Sequence, residues 1–73
     1  MDFSQALNAA KLGSKIQRSG WNGKGMYVAI QSPDENSKMT LPYLYMKTAD
    51  DNLVPWLISQ TDALAGDWSI IID

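Results

Sequence analysis

Neither cysteine nor histidine occurs in this 73-residue chain. Without cysteine no disulfide can form. Without either residue a zinc, copper or haem centre lacks its usual ligands. A Ser-His-Asp or Cys-His arrangement is excluded on the same ground, because the nucleophile needs an adjacent base. An excess of positive charge is missing too. Six Lys and Arg against eight Asp and Glu leave a formal net charge of −2, so no basic stripe exists for the backbone of a long nucleic acid. No apolar run approaches the roughly 20 residues of a membrane span, and the first residues lack the basic-then-apolar order of a signal peptide. The composition predicts one soluble cytoplasmic domain, residues 1–73, with no metal and no cofactor.

Small size has a consequence. A domain this short buries only about 60% of the surface its unfolded chain exposes, and scaffolds of this size lean on disulfides, metals or oligomerisation. With the first two gone, a homo-oligomer is the expectation. The apolar fraction of 45% is ordinary, but three Trp, three Tyr and four Met are many for this length. Part of that surface is expected at subunit contacts.

Along the chain, Phe3, Ala6, Leu7 and Ala10 recur at helical spacing and predict an amphipathic helix over 3–12. Asp2 with Gln5 forms a near capping box, Lys11 suits the negative helix end, and Gly13 suits the position after it. Residues 15–18 alternate as a strand. Residues 19–25 form a Gly-rich loop with a tight-turn signal at Asn22-Gly23. Residues 26–31 predict a strand, 32–40 a polar turn or mobile loop, and 41–47 a strand with Pro42 limiting ladder bonds near its start. A hairpin turn at 50–52 leads to a strand over 53–58. A short helix over 61–65, capped by Ser59 or Thr61 and ended by Gly66, precedes a final strand carrying Trp68, Ile70 and Ile72. The fold class is therefore α+β: an N-terminal helix packed on an antiparallel sheet of about five strands, with a short helix before the last. The sheet face away from the helix, rich in Tyr and Met, needs a cover, and a second subunit is the natural one.

The residues with chemical potential are few. Paired carboxylates at Asp34-Glu35 and Asp50-Asp51 sit in turn-like sequence and are expected in solvent. Asp62 and Asp67 flank the short helix, where Asp62 is a better cap or hydrogen-bond acceptor than a catalyst. The 20–25 loop lacks both the phosphate-loop and the dinucleotide fingerprint. It serves equally as a hairpin turn or as a place where backbone amides approach an anion. Any single tryptophan is first a core residue. Trp68 alternates with Ile70 and Ile72 and fits that description, whereas Trp21, following Gly20 in a loop, is the best candidate to stack on a base, with Tyr27 second. Met26 and Met46 suit an adaptable apolar wall or the strand core. Ser59-Gln60-Thr61-Asp62 is an ordinary helix start that doubles as a phosphate and ribose reader. Arg18 and Lys47 are candidate counter-charges, and Lys24 is expected in solvent.

Four stretches carry a resemblance beyond these physical signals: M-D-F-S-Q-A-L at the start, G-W-N-G-K-G-M-Y at 20–27, Y-M-K-T-A-D at 45–50 and V-P-W-L-I-S-Q-T-D-A-L-A-G-D-W at 54–68. Together they resemble the second family of phage Thoeris anti-defence proteins, over nearly the whole chain except 32–40. The resemblance implies a non-enzymatic sponge, acting in the cytoplasm of the infected bacterial host. Such a protein binds glycocyclic ADP-ribose, the cyclic nucleotide signal of Thoeris immunity, and holds it without cleaving it, so the effector is never activated. It further implies a homotetramer with pockets between subunits and, in some members, separate sites for the cyclic di- or trinucleotides of CBASS immunity. Carried over motif by motif, Trp21, Asn22 and Gly23 belong to the pocket with Met26 and Tyr27 beside them. Met46, Lys47, Thr48 and Ala49 form another wall, and Ser59, Gln60, Thr61 and Asp62 complete it. The residues leave two alternatives open: direct blockade of an immune effector through exposed aromatics, or hydrolysis of the signal with Asp62 or Asp67 as base.

Overall fold

The computed structural model describes residues 1–72. Helix α1 (Phe3–Lys11) starts at a complete capping box between Asp2 and Gln5. It ends in a Schellman turn, with Gly13 at φ 103° and its amide donating to Ala10 while the Ser14 amide donates to Ala9. That positive φ requires glycine. Five strands follow: β1 (Lys15–Arg18), β2 (Tyr27–Gln31), β3 (Tyr43–Lys47), β4 (Leu53–Pro55) and β5 (Trp68–Ile71), with one helical turn, α2 (Gln60–Ala63), before the last. The sheet is antiparallel, in the order β4-β3-β2-β1-β5.

Register decides which residues face the core. Ile16 pairs with Val28, Val28 with Met46 and Ile30 with Leu44. Successive side chains point to opposite faces, so all five share the face on which α1 lies. There Ala6, Ala10, Ile16, Val28, Met46 and Trp68 form the buried cluster. Alanine at two helix positions lets α1 sit close to the sheet, and the helix packs on β1, β2 and β5.

β4 and β5 lie at opposite edges, so the connection from 56 to 67 must cross the sheet. It crosses on the helix side, packing Trp56 and Ile58 against the same core. This explains why the strand expected over 53–58 stops at Pro55: the following residues leave the ladder to span the sheet. Pro55 itself lies on an edge, where a missing N–H is tolerated. At the other edge Met1 exchanges two hydrogen bonds with Trp68: the Met1 ammonium donates to the Trp68 carbonyl at 2.9 Å, and the Trp68 amide donates back to Met1 at 3.1 Å.

The opposite face carries Tyr27, Ala29, Tyr43, Tyr45, Leu53 and Pro55, and no element of the described residues packs over it. The tyrosines expected there are found there. Methionine is not: Met46 alternates inward and is buried, and Met26 packs against the core.

Candidate functional site

Three segments far apart in sequence meet where the crossover passes the Gly-rich loop. The first is 19–26. Its tight packing is visible at Gly23, where a Cβ would lie 2.5 Å from Met26 Sδ and 2.8 Å from Ala49 Cβ. The second is the hairpin 47–52, held by the Thr48 amide donating to Asn52 O at 2.8 Å and the Asn52 amide donating to Thr48 Oγ1 at 3.0 Å. Asp51 turns the chain at φ 65°. Lys47 ties the hairpin to the loop by donating to Gly25 O at 3.1 Å and pairs with Asp51 at 2.6 Å. The third segment is the start of α2, where Ser59 Oγ accepts from the Asp62 amide at 3.1 Å.

A tryptophan cluster sits at the junction. Trp68, 2% exposed, meets Phe3 at 5.1 Å between ring centroids. Trp21 stands edge-on to Trp68 at 5.3 Å, and Trp56 does so at 6.3 Å. These are the favoured offsets and tilts for aromatic pairs. Two of the three indoles donate to Asp62: Trp21 Nε1 to Asp62 Oδ1 at 3.0 Å, and Trp68 Nε1 to the Asp62 carbonyl at 2.9 Å.

The charges beside the cluster are already spent. Arg18 Nη1 donates to Asp62 Oδ1 at 2.6 Å, and Arg18 Nε donates to Asp67 Oδ1 at 2.7 Å. Asp67 also accepts from the Gly20 amide at 2.7 Å and from the Ser19 hydroxyl at 3.2 Å. The guanidinium, with desolvation opposing and the other donors assisting, holds the Asp67 carboxyl down at about 2. Burial pushes the Asp62 carboxyl up, but donation from Arg18, Trp21 and Ser59 outweighs it and leaves the group below the usual carboxylate range. Arg18 is therefore not a free counter-charge, contrary to expectation: two carboxylates occupy its fork. Lys47 is partnered by an exposed Asp51 side chain, and such a pair is weak and readily exchanged.

The predicted residues divide between the two faces. Trp21, Gly23 and Met26 join Ala49, Ser59 and Asp62 around the cluster, with Asn22, Gln60 and Thr61 exposed nearby along the same segments. Met46, expected as a wall, is core at 9% exposure. Tyr27 and Lys47 are cross-strand partners on the open face. There Tyr27 meets Tyr45 edge-on at 6.4 Å, and Lys15 Nζ lies 4.9 Å over its ring. Burial, then the Tyr27 neighbour, raises the Tyr45 phenol above its ordinary value. The Thr48 hydroxyl is used within its own hairpin, its single O–H lying within reach of both Asp50 Oδ1 and Asn52 O. At α2, Ser59 is the cap and Gln60 begins the helix, one residue earlier than the expected start at Thr61; Asp62 already supplies a negative charge to this single turn.

Sequence reasoning missed Asp67 as the anchor of the Gly-rich loop; its spacing from Arg18 in sequence gave no signal. It also missed a concavity of about 500 Å³ at the far end of β3 and β4, lined by Met39, Thr40, Leu41, Pro42, Tyr43 and Pro55. Within the 32–40 loop beside it, residues 34–37 form a hydrogen-bonded turn. The Asp34 side chain accepts from the Asn36 amide at 2.9 Å, and the Ser37 amide donates to Asp34 O at 3.1 Å. Among the described residues no acidic cluster is arranged for a metal, and no helix is long and apolar enough to cross a membrane.

Comparison with known proteins adds a family. The model of the Thoeris anti-defense 2-like (Tad2-like) domain matches residues 1–71. The chain is also similar to the protein Thoeris anti-defense 2 of Bacillus phage SP01, 37% identical over 84 aligned residues that cover 97% of this chain and 94% of the relative. That alignment is longer than the chain, so the relative carries residues this one lacks.

Proposed function

The chain belongs to the Thoeris anti-defense 2-like family, and from that membership we propose that it is a phage anti-defence protein that sequesters a nucleotide immune signal in the cytoplasm of the infected host. The ligand proposed is glycocyclic ADP-ribose, held intact so that the Thoeris effector stays inactive. The observation that carries the reading is convergence: the 19–26 loop, the 47–52 hairpin and the α2 start meet beside one tryptophan cluster. A flat aromatic neighbour contributes about 1–3 kcal/mol per stacked base. Exposed Asn22, Gln60 and Thr61 offer donors and acceptors for ribose hydroxyls and phosphate oxygens.

Binding without cleavage has support in the electrostatics. Asp62 and Asp67 were the carboxylates available to a hydrolase. Both are ionised, engaged by Arg18 and of lowered basicity, the opposite of a general base poised near neutral pH. The uncovered tyrosine face is assigned to contacts between the copies of a homotetramer, with ligand pockets formed between subunits. A second class of ligand, the cyclic di- or trinucleotides of CBASS, belongs to the same reading at a separate site.

Direct blockade of an effector is the competing reading, favoured by the apolar concavity around Leu41 and Pro55. One experiment separates the three. Purified protein is incubated with glycocyclic ADP-ribose, freed of unbound ligand and heat-denatured, and the released material is weighed by mass spectrometry. Intact ligand is the expected result. An altered mass makes the protein a hydrolase, and no release moves the search to cyclic oligonucleotides and then to effector proteins.

A further inference from the structure

Asp62 has little left to offer a ligand. A carboxylate presents about four acceptor positions. Here Oδ1 takes Arg18 Nη1 and Trp21 Nε1, and Oδ2 takes the Ser59 hydroxyl at 3.0 Å, in a side chain only 16% exposed. Arg18 is held from the other side as well, donating Nε and Nη2 to Asp67, so its planar fork cannot swing toward an anion without breaking a charge-assisted pair. Asp67 in turn pins the root of the loop through the Ser19 hydroxyl and the Gly20 amide. Gly20 has no room for a side chain there: a Cβ would stand 2.9 Å from Asp67 Oδ2 and 3.0 Å from Arg18 Nη2. The bonds close a ring around one residue. Trp21 donates its backbone amide to Arg18 O at 3.3 Å and its indole N–H to Asp62, while Arg18 and Asp67 brace Asp62 and the preceding glycine.

Resting on the signal-binding reading above, we infer that Arg18, Asp62 and Asp67 are positioning residues: they fix the Trp21 indole edge-on to Trp68 and so set the wall that the ligand meets, and Asp62 does not itself touch the ligand. Exposed polar groups that can face a nucleotide from this side include Asn22, Gln60 and Thr61. Loss of the restraint on Trp21 is expected to lower ligand affinity by about tenfold.

The test uses the full-length protein in its native assembly, with glycocyclic ADP-ribose as probe. Affinity is read by calorimetry and the indole N–H resonances by NMR. Arg18→Lys keeps the charge and removes the fork. The Trp21 indole resonance is expected to move and to exchange faster with water, with a roughly tenfold loss of affinity. Asp62→Ala is expected to lose binding and Asp62→Asn, which keeps an acceptor for the indole, to recover most of it. In a Trp21→Phe background, which lacks the indole N–H, Asp62→Ala should add little further loss. A Trp21 resonance unmoved by Arg18→Lys overturns the proposal, and so do additive losses from Trp21→Phe and Asp62→Ala, which mean Asp62 contacts the ligand directly. If Arg18→Lys does not fold, the Asp62 and Trp21 variants decide alone. If the wild type binds no probe, the sequestration reading fails, and the resonance shift in the free protein still decides whether Arg18 holds Trp21.

Discussion

Trp68 concentrates the packing of a chain that has no disulfide. It touches Phe3, Trp21 and Trp56, and its backbone bonds the N-terminal residue. Trp68→Ala is expected to lose about 3–5 kcal/mol, a large share of the 5–15 kcal/mol that a native domain has, as a fall in the denaturation midpoint. Gly23 is constrained for a different reason. The Met26 tail can move from an added Cβ, but the Ala49 Cβ at 2.8 Å cannot. Gly23→Ala should therefore part the loop from the hairpin, costing about 1–3 kcal/mol by overpacking, seen as a lower melting temperature and weaker ligand binding. The carboxylates set the acid limit. A free Asp titrates near 3.9, whereas Asp67 is held at about 2 by Arg18 first and then by the Gly20 and Ser19 donors, and Asp62 is lowered as well. The stabilising contribution of Asp67 is present in full above about pH 4 and is lost as pH falls through about 2, and that of Asp62 is lost in the same direction. Acid titration of Asp67→Asn should show that loss diminished. A wild-type profile indistinguishable from the variant would mean that the pair adds nothing to the fold.

At the level of elements, α1 shows how far local signals reach. Its capping box, its Ala6 and Ala10 stripe and its C-terminal glycine were all written in neighbouring residues, and each is found. Asp2→Ala removes the cap and is expected to lower stability by about 1 kcal/mol, measured by urea denaturation. Strand ends were less legible, because tertiary routing sets them. Pro42 delays β3 to Tyr43, and the crossover takes Trp56 and Ile58 out of a strand that alternation alone would extend. The same limit applies to the site. Spacing could place Trp21 in a loop and Ser59 at a helix cap, but Arg18 and Asp67 lie 49 positions apart and meet only because β1 pairs with β5. Met46 followed the period of its strand into the core, while Tyr27 followed its own to the other face. Motif proximity in sequence therefore grouped residues that the pleat separates.

At the scale of the whole molecule, one sheet face has no packing partner among the described residues. Ala29 there is only 7% exposed, yet Tyr43 and Leu53 remain substantially open, as does Leu41 at the strand's entry. A small domain gains most from closing such a surface against a copy of itself, which is the assembly proposed above. Tyr45 is the place to test it. It pairs with Ala29 on one side and Pro55 on the other, and it packs edge-on with Tyr27, so it lies at the middle of the face and away from the tryptophan cluster. Tyr45→Glu puts an ion where a subunit contact would desolvate it, an unfavourable change of several kcal/mol for each buried charge without a partner. The surface of an isolated chain tolerates the same ion, because water solvates it. Light scattering should therefore show the assembly falling to smaller species while circular dichroism keeps the native spectrum. Glycocyclic ADP-ribose binding should fall in parallel, since a pocket formed between copies disappears with the contact. Retained mass with lost binding would place Tyr45 at the ligand instead of at the interface. Retained mass with retained binding would remove this face from both roles.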